Sequence, residues 1–203
     1  MAKKDLPKAL QDLYFPSAKE PVFVDVPAMQ FAMVDGVGDP NSSKGFQEAI
    51  GALYGVAYTA KFAAKKTGIR DVLVMPLEGL FWTEGSDTFL PADKGQWHWT
   101  LMLMEPAAVT RKLFDGSVRA LRERKNPPGL SRVRLERFRE GKAAQILYVG
   151  PYSAEQPTIE RLHAFIRENG YRLSGKHHEI YMGDPRRNAP EKLKTVIRQP
   201  ASR

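Results

Sequence analysis

Near the C-terminal end, the segment GKHHEIYMGDP (Gly175–Pro185) sets two histidines, a glutamate and a tyrosine between two glycines. In an extended strand successive side chains point to opposite faces, so His177, Glu179 and Tyr181 share one face. His178, Ile180 and Met182 share the other, which is expected to meet the core. The polar face is expected to look into a groove or into solvent. A carboxylate walled by aromatic rings loses hydration, which raises its proton affinity and suits it to general acid or base work. The same carboxylate under rings could instead hold a cationic ligand. Both roles need Glu179, with Tyr181 orienting the reacting group.

Metal chemistry is a weaker reading. His177-x-Glu179 could supply two ligands, but the chain has four histidines (98, 163, 177 and 178) and no cysteine, so a third ligand would have to come from a distant segment. No metal and no cofactor are expected. The loop GVGDPNSSKG superficially suggests phosphate binding, yet the P-loop pattern needs Gly directly before Lys-Ser/Thr, and the order here is Ser43-Lys44-Gly45. The dinucleotide pattern needs a third glycine where Asn41 stands. The segment reads as a loop with a helix cap.

Aromatic residues that could line a site are Phe81, Trp82, Trp97, Trp99, Tyr148, Tyr152 and Tyr181. Taken singly, each is first a candidate for core packing. All three tryptophans, however, lie between positions 82 and 99. Trp97 and Trp99 on one strand face would form a rigid apolar wall. Glu78 and Trp82 share a face of their own strand, with Glu78 the possible counterpart of Glu179; an alternative register sets Phe81 opposite Tyr181.

The elements that would position these residues follow from periodicity. Residues 22–34 read as strand interrupted near Pro27. Phe46, Ile50, Leu53, Ala57, Ala60 and Ala64 recur at helical spacing, which predicts a helix over 44–67 capped by Asn41, Ser42 or Ser43 and closed by Gly68. Residues 71–82 and 96–104 read as strands joined by a turn-rich stretch, the second strand with Trp97, Trp99, Leu101 and Leu103 on one face. A helix is expected from Pro106 to about residue 126, where NPPG stops it. Residues 132–149 read as a hairpin turning at 139–142, residues 155–169 as a helix with Ile159, Leu162 and Ile166 inward, and two strands finish the chain.

The order strand–helix–strand–strand thus occurs twice, and each first strand ends at Val-Gly before its helix. The expected fold is α+β, built from tandem duplicated β-α-β-β units with antiparallel sheets, pseudo-two-fold symmetry and a central ligand cleft. Residues 1–20 form an N-terminal arm and 21–200 a single domain. Repeat one spans about 21–105, a linking helix about 106–126 and repeat two about 131–200.

Composition sets the limits. At 203 residues with 42% hydrophobic content, the chain can bury a sizeable core. The absence of cysteine excludes disulfides and thiol catalysis. No apolar stretch approaches a membrane span, and the N-terminus lacks an apolar signal region, so a cytoplasmic location is expected. The net charge of +8 is scattered among acids, and the reading is a solvated surface rather than a DNA-binding face.

Two stretches carry a resemblance. YVGPYSAEQPTIERLHAFIRENGYRLSGKHHEIYMGDP (148–185) has the Tyr-x-Gly-Pro-Tyr, helix, Asn-Gly-Tyr and Glu-x-Tyr succession of the GyrI-like small-molecule-binding family. EGLFW (78–82) with WHW (97–99) is similar to a subfamily of larger, free-standing members. The resemblance implies two SHS2-like units and a cleft for bulky hydrophobic or cationic small molecules, lined by Trp82, Trp97, Trp99, Phe81, Tyr148, Tyr152, Glu78 and His177. Some family members are similar to cyclopropanoid cyclopropyl hydrolases, which implies Glu179 and Tyr181 as catalytic residues; others look like antagonists of gyrase poisons, and a protein-interaction module such as a gyrase partner is a further alternative. The first 20 residues are too few for a helix-turn-helix, so no direct DNA-binding domain is expected.

Overall fold

The computed structural model describes residues 3–69, 72–85 and 94–203. In chain order the elements are α1 (Lys8–Tyr14), β1 (Val22–Val26), β2 (Met29–Val37), α2 (Lys44–Lys66), β3 (Leu77–Trp82), β4 (His98–Met104), α3 (Arg111–Arg124), β5 (Arg134–Phe138), β6 (Gly141–Val149), α4 (Gln156–Glu168), β7 (Arg172–Leu173), β8 (His177–Tyr181) and β9 (Lys194–Ser202). The protein is α+β, with nine strands and four α-helices among the described residues. Every strand pair with a described register is antiparallel. The doubled order stands, β2-α2-β3-β4 and then β6-α4-β8-β9, with the two-residue β7 inserted between α4 and β8.

Two compact units divide the chain, and they do not coincide with the two repeats. One comprises Met1–Ala28, Glu78–Leu90 and Arg139–Arg203; the other comprises Met29–Leu77 and Pro91–Phe138. In the first unit the strands run β1-β6-β9-β8-β3, with β7 beside β9. In the second they run β4-β2-β5. From Glu78 onward, β3 therefore belongs by chain order to the first repeat and by packing to the unit that holds the second.

Three expectations need correcting. Residues 134–149 are not a hairpin: β5 pairs with β2, and β6 pairs with β1 and β9. The expected strand over 22–34 is two strands that part at Pro27-Ala28 and enter different units. A proline has no N–H to give a ladder and restrains the residue before it, so it is a natural place to divide. The helix expected from Pro106 begins at Arg111, where the Thr110 hydroxyl accepts from the Leu113 N–H at 3.3 Å.

Smaller shifts concern strand starts. β3 opens at Leu77 rather than in the low seventies, because Pro76 cannot extend the ladder. β4 opens at His98 after a short 3-10 turn over 94–96. Most of the turn-rich connection between β3 and β4 lies outside the described residues, as does Asp71 at the start of the expected strand.

Helix α2 fits its pattern. The Ser43 hydroxyl caps it by accepting from the Phe46 N–H at 3.2 Å, and Phe46, Leu53, Val56, Ala57, Ala60 and Ala64 are buried. In the first unit α4 buries Ile159, Leu162 and Ile166 against Ala144 and Ile146 of β6 and Ile197 and Ala201 of β9. Gly170, at φ +78, lets the chain turn back after α4, in a conformation that residues with a Cβ rarely adopt. No helix among the described residues is long and apolar enough to cross a membrane.

Candidate functional site

Strand β8 lies between β9 and β3, and both of its faces are covered. Its register against β9 sets His178 opposite Arg198, Glu179 opposite Ile197 and Tyr181 opposite Thr195. Partners directly across an antiparallel pair share a face. One face is therefore shared by Glu179, Ile197 and the core under α4, and the other by His178 and Arg198.

The His178 face carries a buried charge network. The Tyr14 hydroxyl donates to Glu78 Oε1 at 2.6 Å, and His178 Nε2 donates to Glu78 Oε2 at 3.0 Å. His178 Nδ1 donates to Glu140 Oε1 at 2.9 Å, while Arg198 reaches Glu140 Oε2 at 3.0 Å. Arg198 also donates to Gln145 Oε1 at 2.9 Å and to the Leu13 carbonyl at 2.7 Å. Gln145 donates in turn to the Asp12 carbonyl at 2.6 Å. A carboxylate only accepts, so a histidine between two of them carries protons on both ring nitrogens.

Two carboxylates, one imidazolium and one guanidinium sum to zero charge. Burial opposes the charged form of His178, but Glu140 and Glu78 outweigh it and hold its pKa above the ordinary value. Burial likewise opposes ionisation of Glu140, yet His178 and Arg198 bring it down to about 2. The ring of partners is closed, and α1 is tied to the strands by two of its carbonyls and one phenol.

The Glu179 face is built differently. His177 Nε2 donates to Glu179 Oε1 at 3.0 Å, and the Tyr181 hydroxyl donates to Glu179 Oε2 at 2.7 Å. The Tyr152 ring stands edge-on to Tyr181, with centroids 5.6 Å apart and an interplanar angle of 80°. Tyr152 comes from the short 3-10 turn before α4, in the Gly-Pro-Tyr segment. Burial opposes ionisation of Glu179, but the hydrogen bonds from His177 and Tyr181 prevail and keep its pKa below the usual carboxylate value, the reverse of the raised proton affinity expected for a carboxylate walled by rings. Burial, then the charge of Glu179, pushes the Tyr152 phenol up to about 12. Burial brings His163 of α4 down to about 4, aided by His177. Glu179 and His177 are buried, whereas Tyr152 and Tyr181 are half-buried and give this face an edge toward solvent.

The expected site residues thus separate. Glu179, Tyr181, His177 and Tyr152 come together. Glu78, expected as a counterpart of Glu179, instead bonds His178 on the opposite face. Alternation along β3 places Trp82 on the Glu78 face and Phe81 on the other; Lys176 Nζ sits over the Trp82 ring, 3.3 Å from its centroid. The Tyr148 hydroxyl donates to the Pro151 carbonyl at 2.9 Å and so shapes the turn that carries Tyr152. In the second unit Trp99 is 1% exposed, packs edge-on to Phe46 at 5.0 Å and lies so close over Gly36 that a Cβ there would overlap its ring. Trp97 is buried beneath Lys94, 5.2 Å from the ring centroid.

The sequence reading passed over Tyr14, Glu140 and Arg198. Arg198 could have been found: it shares a strand face with Val196 and Pro200, where an inward charge implies a buried partner. The second unit holds an unusual carboxyl, Glu105, 4% exposed with one oxygen lacking a hydrogen-bond partner. Burial raises its pKa to about 7. Among the described residues, no group of three or more His, Asp or Glu is arranged to hold a metal ion.

The chain matches the GyrI-like small molecule binding domain over residues 19–201. It belongs to the GyrI-like family. Three solved structures from Listeria innocua are similar along nearly their whole length. One, an uncharacterised conserved protein, is 39% identical with a TM-score of 0.88, covering 96% of this chain and 98% of that one. A second, described as a hydrolase encoded by lin2189, is 39% identical with a TM-score of 0.85, covering 96% and 97%. A third, also described as a hydrolase, is 36% identical with a TM-score of 0.82, covering 96% and 98%. No curated protein matches the chain. Against the GyrI-like pattern, the Tyr-x-Gly-Pro-Tyr and Glu-x-Tyr segments are the ones that deliver Tyr152, Glu179 and Tyr181 to one place.

Proposed function

We propose that this GyrI-like protein is a hydrolase that binds bulky hydrophobic small molecules and opens a strained, activated ring, with Glu179 as general base. The observation that carries this reading is a buried carboxylate held by His177 and Tyr181 at the edge of an aromatic pair. Such a carboxylate is available to take a proton from water, and its donors fix the direction of its lone pairs. The description of two close structural relatives as hydrolases supports the same class of chemistry. For a cyclopropane conjugated to a dienone, the water oxygen bonds to a ring carbon and the ring C–C bond breaks. The electron pair moves to the carbonyl oxygen, which becomes a phenol on protonation.

The test is incubation with a spirocyclopropyl cyclohexadienone. Wild type is expected to give the ring-opened phenol, while Glu179→Gln binds the compound, seen as a change in tryptophan fluorescence, without converting it. An intact compound after incubation with wild type, or an unchanged rate in Glu179→Gln, overturns the reading. Binding of a hydrophobic cation without turnover of the dienone would favour a binding protein in which Glu179 is the counter-charge.

A further inference from the structure

The second unit turns a row of aromatic rings toward solvent. Tyr54, Tyr58 and Phe62 recur at i, i+4 and i+8 of α2, which sets them one above another on a single face. Tyr58 is 48% exposed and Phe62 58%, the most exposed large hydrophobic side chain among the described residues. The Tyr54 and Tyr58 ring centroids lie 6.3 Å apart. The opposite face of α2 is the buried one, with Phe46, Leu53, Val56, Ala57, Ala60 and Ala64. Packing of the unit therefore does not require rings at 58 and 62, where a polar helix former would serve the fold as well.

The same face is cationic. Lys61 and Lys65 follow Tyr58 and Phe62 by three residues each and so stand beside the row, and Lys66 comes in the last turn. Helix α3 packs alongside, its Leu121 side chain lying against Gly55 of α2, and it exposes Lys112, Arg119, Arg122 and Arg124. Together α2 and α3 carry nine basic and three acidic side chains, a net +6 of the chain's +8. Two of the three acids lie beside bases of their own helices, Glu48 at 3.7 Å from Lys44 and Asp115 at 3.8 Å from Arg111. Charge that looks scattered along the chain is gathered on two neighbouring helices.

We propose that the outward face of α2, with the cations of α3 beside it, docks on an anionic lipid bilayer. The rings of Tyr58 and Phe62 enter the boundary between headgroups and acyl chains, and Lys61 and Lys65 meet lipid phosphates. A bilayer surface offers both halves of the match at once, an apolar boundary for rings and negative headgroups for lysines. A second copy of the chain offers neither cleanly, since a two-fold contact through this face would set lysines against lysines. Proteins that stack nucleic-acid bases present their rings from a groove that tracks the strand, whereas this row stands on a convex helix. The inference is independent of the hydrolytic reading, and it would bring the protein to the place where bulky hydrophobic molecules concentrate.

Co-sedimentation of the full chain with vesicles tests it, comparing phosphatidylcholine containing phosphatidylserine with phosphatidylcholine alone. The chain is expected to sediment with the anionic vesicles only, and added salt is expected to release it. Lys61→Gln should lower the partition coefficient roughly 5-fold, and Lys61→Gln/Lys65→Gln about 25-fold. Phe62→Ser should lower it on the order of 10-fold. Tyr58→Ser is the second ring variant should Phe62→Ser unfold early in a thermal melt. Lys8→Gln/Lys19→Gln removes the same charge from exposed positions of the first unit and should leave partition nearly unchanged.

Absence of sedimentation with anionic vesicles overturns the proposal. So does binding that ignores the ring variants, or that falls as far in Lys8→Gln/Lys19→Gln, because a basic protein would then be drawn to an acidic surface through no particular face. Dimerisation or oligonucleotide binding that Phe62→Ser abolishes, without vesicle binding, would assign the face to a second copy or to nucleic acid and would equally overturn it. Turnover of the dienone in vesicle-free solution reads the hydrolase separately, so either idea can fail alone.

Discussion

The two faces of β8 carry the same residue types to opposite ends. On one, His178 is saturated between Glu78 and Glu140, Arg198 completes the charge balance, and α1 seals the group. On the other, His177 and Tyr181 hold Glu179, and two half-buried tyrosines reach outward. The difference teaches that a buried His–Glu pair is not itself a sign of chemistry. What distinguishes the faces is exposure: the His178 network is buried throughout, whereas the Glu179 face ends at two half-buried tyrosines. The closed face is an anchor for the N-terminal helix and the strand; the face with an aromatic edge is the one on which a reacting molecule could be placed.

This contrast predicts where substitutions do their damage. Arg198→Met removes one member of the closed network and leaves Glu140 buried with a single cationic partner; the expected loss is roughly 3–5 kcal/mol of stability, measured by chemical denaturation. A much smaller loss would mean that the network is not closed. Glu179→Gln should reverse the balance of effects, with turnover of the dienone falling about 10²- to 10⁴-fold while the unfolding midpoint changes little. Next in size is Tyr14→Phe, which deletes one hydrogen bond to the buried Glu78 carboxylate and should cost roughly 1.5–3 kcal/mol with no effect on the pH profile of turnover.

pH sharpens the comparison further. His178 is raised above 6.5, so its contribution is complete below that value and fades as pH climbs through the raised pKa. Glu140, held at about 2, contributes fully above 4.5 and loses its contribution as pH falls toward about 2. The closed face should therefore give a stability plateau across mildly acidic pH that Arg198→Met narrows from the acid side. Glu105 behaves in the opposite sense to Glu140: with its pKa at about 7 it favours the folded state below 4.5 and progressively ceases to do so as pH passes 7. Glu105→Gln should flatten the stability loss between about pH 4.5 and pH 7, as thermal unfolding across that range would reveal. The smallest effect expected is in Tyr181→Phe. Losing a donor to Glu179 should move the acid limb of turnover up by about half a unit to one unit.

Much of this organisation was legible in the chain. Helical spacing from Phe46 to Ala64 and from Ile159 to Ile166 marked the two long buried faces, and alternation in HHEIY divided its residues correctly between two sides. The doubled β-α-β-β order followed from the succession of periods and the Val-Gly ends of the first strands. The pairing of strands did not follow. Residues 134–149 have every local mark of a hairpin, yet each strand finds a better edge elsewhere, because antiparallel ladders are satisfied equally well by any strand of matching length.

The amino-acid sequence alone determined which residues can be helix or strand and which side chains share a face, since both depend only on backbone period. It also brought Tyr152 and the Glu179–Tyr181 strand under suspicion through their motifs. Only the tertiary structure decided which carboxylate keeps company with which base. Glu78 lies 100 positions from His178, and Tyr14, Glu140 and Arg198 come from three further segments. No local spacing records such meetings, because they are set by the packing of whole elements and by the demand that every buried charge be met.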